Sequence, residues 1–528
     1  MKSAKRIKLI AKFMAAVLTL GTIAGVAAGC KKPTPNTESD LEIALWEAGN
    51  GRVFMDRIIA EFKKEHPEIS VYLSSNADVQ TSDLSSGGEI NSIDLYFTNL
   101  EDYLGYKEYL EPLDDILDAS VDGVALSSKF DANILDCMSD PEDGTMYVLP
   151  WSSSVGGLVY NASVFEERGY EIPRTTNELK GIVEDAISKK DEDSSQPSPF
   201  LHLAEYWNYL LFAWQAQYDG VENFYDAWQF TYDGEQNRVE SLTGGASAVD
   251  EIEQIPADER GGRYKSLEVL YELISPAGAV YNGTNSFDFT TSQTLFLDGR
   301  ALMMPNGSWI ENEMRQYVTE DTNISMMKTP VISSLAPKLG ITENQLSVIV
   351  KEIDGLELTA SEENLYNSLK ENKAEAVAYV ESIRNVAYTE QTQFHSFIPN
   401  YAVAKDAAKE FLKFFFSDEA LQICYDTTHM PQSAKMTTGA PDTEGWSDFS
   451  KVCLELHDNM TMIVKYLTNP IFYRGNVSNL YYNSPARSFS ASGEADKKDL
   501  EEYWVWESSY WLNNWDTLLD LAGLKTNA

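Results

Sequence analysis

The stretch from Leu41 to Leu73 constrains the fold more than any other part of this sequence. Leu41 to Trp46 alternates apolar and polar residues, as a half-buried strand does. Apolar residues then recur every four positions, which predicts a helix that ends at His66-Pro67, and alternation returns over residues 69–73. Strand, helix and strand within about 30 residues predict a parallel βαβ unit. We therefore expect an α/β protein.

The chain is long enough to fold around more than one hydrophobic core. It has 528 residues, of which 43% are apolar, and this suffices for two or more sizeable cores. A further amphipathic helix is predicted where Ala408, Phe411, Leu412 and Phe415 share one face. No period of about 20–50 residues repeats, which argues against a solenoid.

The N-terminus has the pattern of an export signal. Five basic residues lie within residues 2–12, an uncharged segment covers residues 13–28, and Gly29 and Cys30 follow. The apolar segment is shorter than the roughly 20 residues that span a bilayer, so a weak transmembrane anchor is the less favoured alternative. The run "VAAGC" resembles the lipobox of bacterial lipoproteins. That resemblance implies a signal peptide over 1–29, lipid on Cys30, and a solvated tether over 30–40.

Composition argues against several classes of partner and site. The chain carries 41 Lys and Arg against 82 Asp and Glu, a net charge of −41, and the five basic residues of the signal leave −46 on the remainder. Such a surface opposes binding to nucleic acid. Besides Cys30 there are three widely spaced cysteines and no CxxC, so we expect at most one disulfide. No histidines pair at i and i+4, and we expect no metal and no cofactor.

No catalytic motif stands out in the sequence. It contains no G-x-S-x-G elbow, no GxxxxGK[ST] phosphate loop and no H-E-x-x-H. A pair of carboxylates for glycoside hydrolysis stays open as an alternative, because 82 acidic residues offer many pairs. We predict that the chain is not an enzyme and has no catalytic residues.

Aromatic residues, which make up 12% of the chain, are more informative. Trp46, Tyr96, Trp151 and Trp309 lie where predicted strands end. A sugar ring has an apolar face that stacks on aromatic rings and a rim of hydroxyls that bond to carboxylates and amides. The side chains near these strand ends that can bond to hydroxyls are Glu47, Asn50, Asn99 and Asn306. The alternative for each tryptophan is packing in a core.

Four blocks of sequence in a fixed order resemble the extracellular solute-binding proteins of carbohydrate-type ABC importers, the maltose-binding-protein-like family. The best-marked block is "GTMYVLPWSSSVGGLVYNASVFEERGYEIPRTTNELK", residues 144–180. Its matching elements are Tyr147, Pro150, Leu158 to Asn161, Phe165, Gly169, Pro173 and Thr176 to Leu179. The other blocks cover residues 41–73, 296–314 and 408–422. Residues 331–394 and the region after Thr437 have no clear counterpart in the family pattern.

The resemblance implies a two-lobe periplasmic-binding-protein-like α/β fold with strands that cross between the lobes. We assign residues 41–154 and 329–430 to lobe one, and residues 155–328 and 431–528 to lobe two. Ligand lies in the cleft of such a fold, and Ser154, Gly156 and Gly157 are the predicted hinge. The predicted ligand-binding residues, among them Trp207 by similarity to an aromatic contact of the family, are Trp46, Glu47, Asn50, Tyr96, Asn99, Trp151, Trp207, Asn306 and Trp309.

The function implied by the resemblance is capture of an oligosaccharide for import. The predicted partners are the sugar, the permease subunits of an ABC importer and the membrane, reached through lipid on Cys30. We expect a monomer at the outer face of the cell membrane, in a Gram-positive envelope, with no nucleic acid bound. The alternatives are another solute such as a peptide or polyol, a surface glycan hydrolase or lyase, and an adhesin or sensor component.

Overall fold

The computed structural model describes residues 37–525 apart from 76, 78–80, 89–91, 320–321, 391–393, 465–468, 476, 478–479, 481–483, 492 and 494–495. Cys30 and the predicted signal peptide lie outside the described residues. Among those described, Cys137, Cys424 and Cys453 are free thiols. The described part contains no helix with the length and hydrophobicity needed to cross a membrane, and within it no cluster of three His, Cys, Asp or Glu side chains is placed to bind a metal.

Strands and helices alternate along most of the chain. The strands are β1 (Asp40–Leu45), β2 (Ser70–Ser74), β3 (Leu95–Thr98), β4 (Ser120–Val121), β5 (Val124–Ala125), β6 (Leu149–Pro150), β7 (Gly156–Asn161), β8 (Ser198–Phe200), β9 (Ala301–Gly307), β10 (Ile324–Met327), β11 (Val386–Tyr388), β12 (His395–Phe397) and β13 (Thr461–Ile463). The helices of the first half are α1 (Val53–Glu65), α2 (Thr81–Ser86), α3 (Asp114–Leu117), α4 (Ala132–Met138), α5 (Ala162–Arg168), α6 (Thr176–Glu192), α7 (Asn208–Asp219), α8 (Val221–Trp228), α9 (Val249–Ile252) and α10 (Gly262–Ile274). Those of the second half are α11 (Phe289–Leu297), α12 (Ile310–Glu313), α13 (Leu335–Lys338), α14 (Glu343–Ile353), α15 (Ala360–Asn372), α16 (Ala374–Ile383), α17 (Lys405–Phe415), α18 (Asp418–Thr428), α19 (Asp448–Asn459), α20 (Pro470–Arg474), α21 (Pro485–Ser490) and α22 (Leu500–Ala522).

The first sheet has the strand order β2-β1-β3-β12-β6. β1 pairs in parallel with β2 and β3, so the predicted βαβ unit at the start of the chain is confirmed. Helix α1 buries one apolar face on this sheet and ends at Glu65, with His66 as its C-cap before Pro67, where the sequence predicts the end. The predicted helix around Phe411 is α17, and its apolar face is also buried in this first core.

The second sheet has the strand order β10-β7-β9-β8 and is covered on both faces. Successive residues of β7 point to opposite faces: Leu158 belongs to the large second core, and Val159 belongs to a smaller third core. Helix α7 lies within the second core, with all its residues from Tyr209 to Tyr218 buried. The second sheet and its helices therefore form a unit with its own hydrophobic interior.

Residues 331–388 pack against the second sheet's helices. The Trp214 indole N–H donates to the Pro330 carbonyl at 3.1 Å, and the Ile332 amide donates to the Gln217 side chain at 3.0 Å. The apolar residues of this segment belong to the second core, whereas the first core resumes at Phe397. The predicted lobe borders stay a prediction, and we propose on this packing that residues 329–388 are counted with lobe two.

Candidate ligand-binding cleft

Trp46 is presented at the carboxyl end of β1. Its backbone amide donates to the Phe97 carbonyl of β3 at 2.7 Å, one residue beyond the end of β1. Its side chain is 41% exposed and stacks on Phe394, with ring centroids 5.7 Å apart and planes 19° apart. Because only one side of an exposed, stacked indole is covered, the ring offers a flat apolar surface.

Trp309 follows β9 on the second sheet and is half-buried. A Cβ built on Gly307 would overlap the Trp309 ring, so glycine is required at the end of this strand. Trp309 is the start of a set of rings that we call the aromatic cluster. Its members are Tyr206, Tyr209, Phe289, Trp309 and Tyr388.

Each ring of the aromatic cluster comes from a different part of the fold. Tyr206, in the 3₁₀ turn Ala204–Trp207, lies 5.6 Å from Trp309 and 5.7 Å from Phe289 between ring centroids. Tyr209 lies 5.7 Å from both Trp309 and Tyr388. The packing is tilted or edge-to-face, the geometry that aromatic rings favour. Tyr209 and Tyr388 are buried, whereas Phe289 is 48% exposed. The cluster therefore extends from the hydrophobic core to the protein surface.

Two carboxylates lie beside the aromatic cluster. The Tyr209 hydroxyl donates to Glu390 at 2.7 Å, and burial raises the pKa of Glu390. The Gln293 amide donates to Glu313 at 2.9 Å, and burial raises the pKa of Glu313 as well. Burial raises the pKa of the Tyr206 hydroxyl, and the charges of Glu313 and Glu390 raise it further, so both carboxylates act on the same ring.

The two sides of the site meet at Gly49, which lies in the 3₁₀ turn Ala48–Asn50 after β1. The Asn312 side chain donates to the Gly49 carbonyl. A Cβ built on Gly49 would lie 3.2 Å from Trp309 Cβ and 3.2 Å from a Glu313 oxygen. Glycine therefore allows the loop after β1 to approach the aromatic cluster closely, which brings Trp46 and Trp309 to one junction between the sheets.

Four of the predicted ligand-binding residues lie at or beside this junction. Trp46 and Trp309 present rings there. Glu47, next to Trp46, accepts a hydrogen bond from Ser75 at 2.6 Å. Asn50 is buried and donates to Ser152 at 3.3 Å, on the segment that joins the two sheets. Their role in binding a ligand stays a prediction.

Four other predicted ligand-binding residues have buried side chains, and their role in binding a ligand stays a prediction. Trp151 stacks on Phe54 and donates to the Thr98 carbonyl at 3.3 Å. Trp207 is fully buried and donates to His202 at 3.0 Å.

Tyr96 and Asn306 complete this buried group. Tyr96 stacks on Phe397 with centroids 4.9 Å apart. The Asn306 oxygen accepts from the Gly307 amide at 2.8 Å. Asn99 differs from both, since its buried oxygen has no hydrogen-bond partner among the described residues.

The predicted hinge lies on the segment that leads from β6 to β7. Ser154 is buried, Gly156 pairs with Gly307, and a Cβ on Gly156 would overlap the Tyr209 ring. Neither Gly156 nor Gly157 has a positive φ. Close packing against Tyr209 therefore explains why position 156 is a glycine. The hinge role of Ser154, Gly156 and Gly157 stays a prediction.

Sequence reasoning missed several residues of the site. Tyr206 is adjacent to the predicted Trp207, and the 3₁₀ turn directs Tyr206 to the cluster and Trp207 to the core. Glu390 and Phe394 end the stretch without a family counterpart, so no motif pointed to them. Glu313 lies inside the matched block 296–314 and could have been found as the carboxylate four residues after Trp309.

A cavity of about 310 Å³ lies on a different part of the junction, beside Val155, Met327 and Asn459. Three of its charged groups are paired with one another, since Asp354 accepts from Arg384 at 2.8 Å and from Lys328 at 2.9 Å. Arg384 also donates to the Thr329 carbonyl at 2.6 Å. We interpret these bonds as structural, since they stabilise the packing around the cavity. We take the aromatic cluster as the candidate ligand-binding site.

This chain is similar to proteins and solved structures at low sequence identity. A multiple sugar-binding protein of Streptococcus mutans is 23% identical over 321 residues, 56% of this chain and 64% of that protein. The diacetylchitobiose binding protein NgcE of Streptomyces coelicolor is 24% identical over 295 residues, 54% of this chain and 55% of that protein. The chain thus spans less than two thirds of the length of these curated relatives.

The fold is also found in solved structures. The apo form of RafE from Streptococcus pneumoniae matches 92% of this chain and 99% of its own, with a TM-score of 0.56 and 15% identity. This likeness confirms the predicted two-lobe α/β fold. The family model described as bacterial extracellular solute-binding protein matches residues 48–344, more than half of the sequence. The chain therefore belongs to the bacterial extracellular solute-binding protein family.

Proposed function

We propose that this protein captures an oligosaccharide between its two lobes and delivers it, chemically unchanged, to the permease subunits of an ABC importer. The observation that carries the proposal is the approach of the loop after β1 to Trp309: Gly49, three residues beyond Trp46, lies against Trp309 and Glu313. One ring comes from each sheet, and carboxylates lie beside them. Stacked rings bind the apolar face of a sugar, and carboxylates accept bonds from its hydroxyls.

The relatives support a sugar as the solute. One is named a multiple sugar-binding protein and another a diacetylchitobiose binding protein. Membership of a solute-binding family agrees with the prediction that the chain is not an enzyme. A binding protein releases its ligand intact, so no reducing ends should appear when the protein is mixed with its sugar.

Isothermal titration calorimetry against a panel of oligosaccharides tests the proposal. We expect at least one saccharide to bind, and Trp309→Ala to weaken that binding about tenfold or more because a stacking surface is lost. Trp506→Ala is the matched control, since this half-buried tryptophan lies on α22 beside Tyr503 and Tyr510. Failure of the folded protein to bind any saccharide would contradict the sugar assignment.

Anchoring by lipid on Cys30 is the second part of the proposal. It is supported by the resemblance of "VAAGC" to a lipobox and by the tether that follows. Two acyl chains hold a protein stably at a membrane where one does not. We expect the wild-type protein to fractionate with membranes and Cys30→Ser to lose that association. Equal membrane association of both proteins would rule out this anchor.

A further inference from the structure

A cavity of about 390 Å³ lies among the helices of the second core, outside the candidate site described above. Ligand pockets in proteins have volumes of about 300 to 1,000 Å³ and mostly apolar walls that carry a few polar groups. The aromatic side chains that line this cavity are Phe212 on α7, Trp228 on α8, Phe472 on α20, and Tyr503 and Trp511 on α22. In volume and in lining, the cavity therefore matches a pocket for a small ligand.

The charged residues that the structure describes in the cavity wall neutralise one another. Arg263 and Glu507 are buried and form a bidentate pair, with N–O distances of 2.6 and 3.0 Å. Arg487 pairs with Glu205 at 3.3 Å, and both of these side chains are 44% exposed, so they mark the mouth of the cavity. A charged ligand would have to compete with one of these pairs, and a buried pair is costly to break. The wall therefore favours a neutral ligand.

Two neutral polar side chains of the wall are available to such a ligand. Asn208, the first residue of α7, is half-buried, and its side chain makes no hydrogen bond to any described residue. Ser484, which precedes α21, is only 9% exposed, and its hydroxyl has no partner within the described part of the chain. Buried polar groups in proteins are nearly always hydrogen-bonded. A ligand with hydroxyl groups would provide the missing partners.

The mouth of the cavity lies beside the aromatic cluster. Glu205 and Tyr206 are adjacent in the 3₁₀ turn before α7, and Glu205 lines the cavity while Tyr206 belongs to the cluster. Phe212 joins the same two regions, since it lines the cavity and its ring centroid lies 4.8 Å from that of Tyr388. Because consecutive Cα atoms are only about 3.8 Å apart, one oligosaccharide can reach both regions.

Helix α20, which supplies Phe472 to the cavity wall, also contacts the first sheet's side of the molecule. Arg474 lies two residues after Phe472 and donates to both oxygens of Asp102, at 2.7 and 2.8 Å. Asp102 follows strand β3 of the first sheet. The cavity therefore lies where the second core faces the first sheet, which is where a ligand held between the lobes would pass.

We propose that this cavity is a subsite for a neutral terminal sugar ring of the captured oligosaccharide. The apolar face of the sugar packs on the aromatic wall, and its hydroxyls bond to Asn208 and Ser484. This subsite rests on the proposed function and adds a preference for ligand length. Phe472, Ser484 and Trp511 lie in the region after Thr437, which has no clear counterpart in the family pattern, so the family pattern does not supply this subsite.

Calorimetry tests the subsite with a series of neutral oligosaccharides that differ only in the number of sugar rings. Among those that bind, we expect one added ring to raise the affinity about tenfold or more, because it fills the cavity. Asn208→Trp places a large side chain at the cavity from a half-buried position. It should abolish that gain and leave the shorter ligand within about twofold. Asn208→Ala removes only the amide and should weaken the longer ligand about two- to tenfold.

Asn177→Trp is the matched control, because Asn177 is an exposed asparagine in the first turn of α6 and does not line the cavity. It should leave the affinities of both ligands unchanged. Asn208→Ala decides the question if Asn208→Trp fails to fold. Equal binding of all ligand lengths, or equal weakening of short and long ligands by Asn208→Ala, would show that the subsite is wrong while the proposed function stands. If no saccharide of any length binds, the proposed function fails as well.

Discussion

At the scale of single residues, glycines at the site are explained by their neighbours. Gly49 allows the approach of Trp309 and Glu313, and Gly307 leaves room for the Trp309 ring itself. The Gly49 contacts are made across the fold, so the sequence alone could not distinguish Gly49 from a glycine in an ordinary loop. A motif match pointed to Trp309, whereas Tyr206 and Glu390 depend on how a turn and an unmatched segment are oriented.

Another residue-level feature is the buried Lys129, which holds two acidic side chains together. Its ammonium lies 2.6 Å from Asp122 and 2.8 Å from Asp418, and only 1% of its side chain is exposed. Burial by itself would raise the pKa of Asp418, but bonds from Lys129 and Thr437 outweigh it and hold that pKa well below its usual range. The cluster therefore stabilises the fold while the carboxylates are ionised.

Lys129→Met should lower the free energy of unfolding by about 3 to 5 kcal/mol at neutral pH, because it leaves two carboxylates facing each other without a cation. The wild-type contribution of Asp418 is present above its unfolded pKa of about 3.9 and is lost as pH falls through its lower folded pKa. The difference between variant and wild type should thus shrink in strong acid. Urea unfolding at several pH values measures it, and an equal difference at every pH would contradict the role given to charge.

At the scale of elements, the sequence predicts those helices and strands whose apolar residues recur with a regular spacing, because that spacing indicates which face is buried. The βαβ unit and helix α17 were predicted because their apolar residues recur with the spacing of a strand or a helix. Helices α14 to α16 lie within residues 331–394, which have no clear counterpart in the family pattern, so their place in the second core could not be foreseen. That place depends on long-range bonds between α7 and residues 330–332, in which Trp214 donates and Gln217 accepts.

The tryptophans of helix α22 differ in how deeply they are buried. Trp511 is buried against Phe230 and Phe472, whereas Trp506 is half-buried beside Tyr510. We expect Trp511→Ala to lower the free energy of unfolding by about 3 to 5 kcal/mol, since it leaves a cavity in the second core. Trp506→Ala should lower the free energy of unfolding by clearly less. Denaturant unfolding of both variants measures the contrast, and equal losses would show that α22 is not docked as described.

At the scale of the whole molecule, helix α19 connects the interiors of the two lobes. Phe449 and Cys453 belong to the third core, on the second sheet, and Leu454 belongs to the first core. The same helix reaches the segment between the sheets, where His457 and Ser153 lie 2.8 Å apart through Nε2 and Oγ. Helix α19 is therefore shared between the two lobes, although it belongs to neither sheet.

A helix with one flank in each interior couples their thermal stabilities. If one half melted alone, α19 would lose half of its supporting surface and the other half would be left with a gap where the helix had been. Scanning calorimetry should accordingly record a single cooperative endotherm, with calorimetric and van't Hoff enthalpies that agree. Two resolved endotherms would mean that each half melts by itself. Such cooperativity would also mean that a damaged molecule denatures as a unit, so that no population with one folded half and one unfolded half persists.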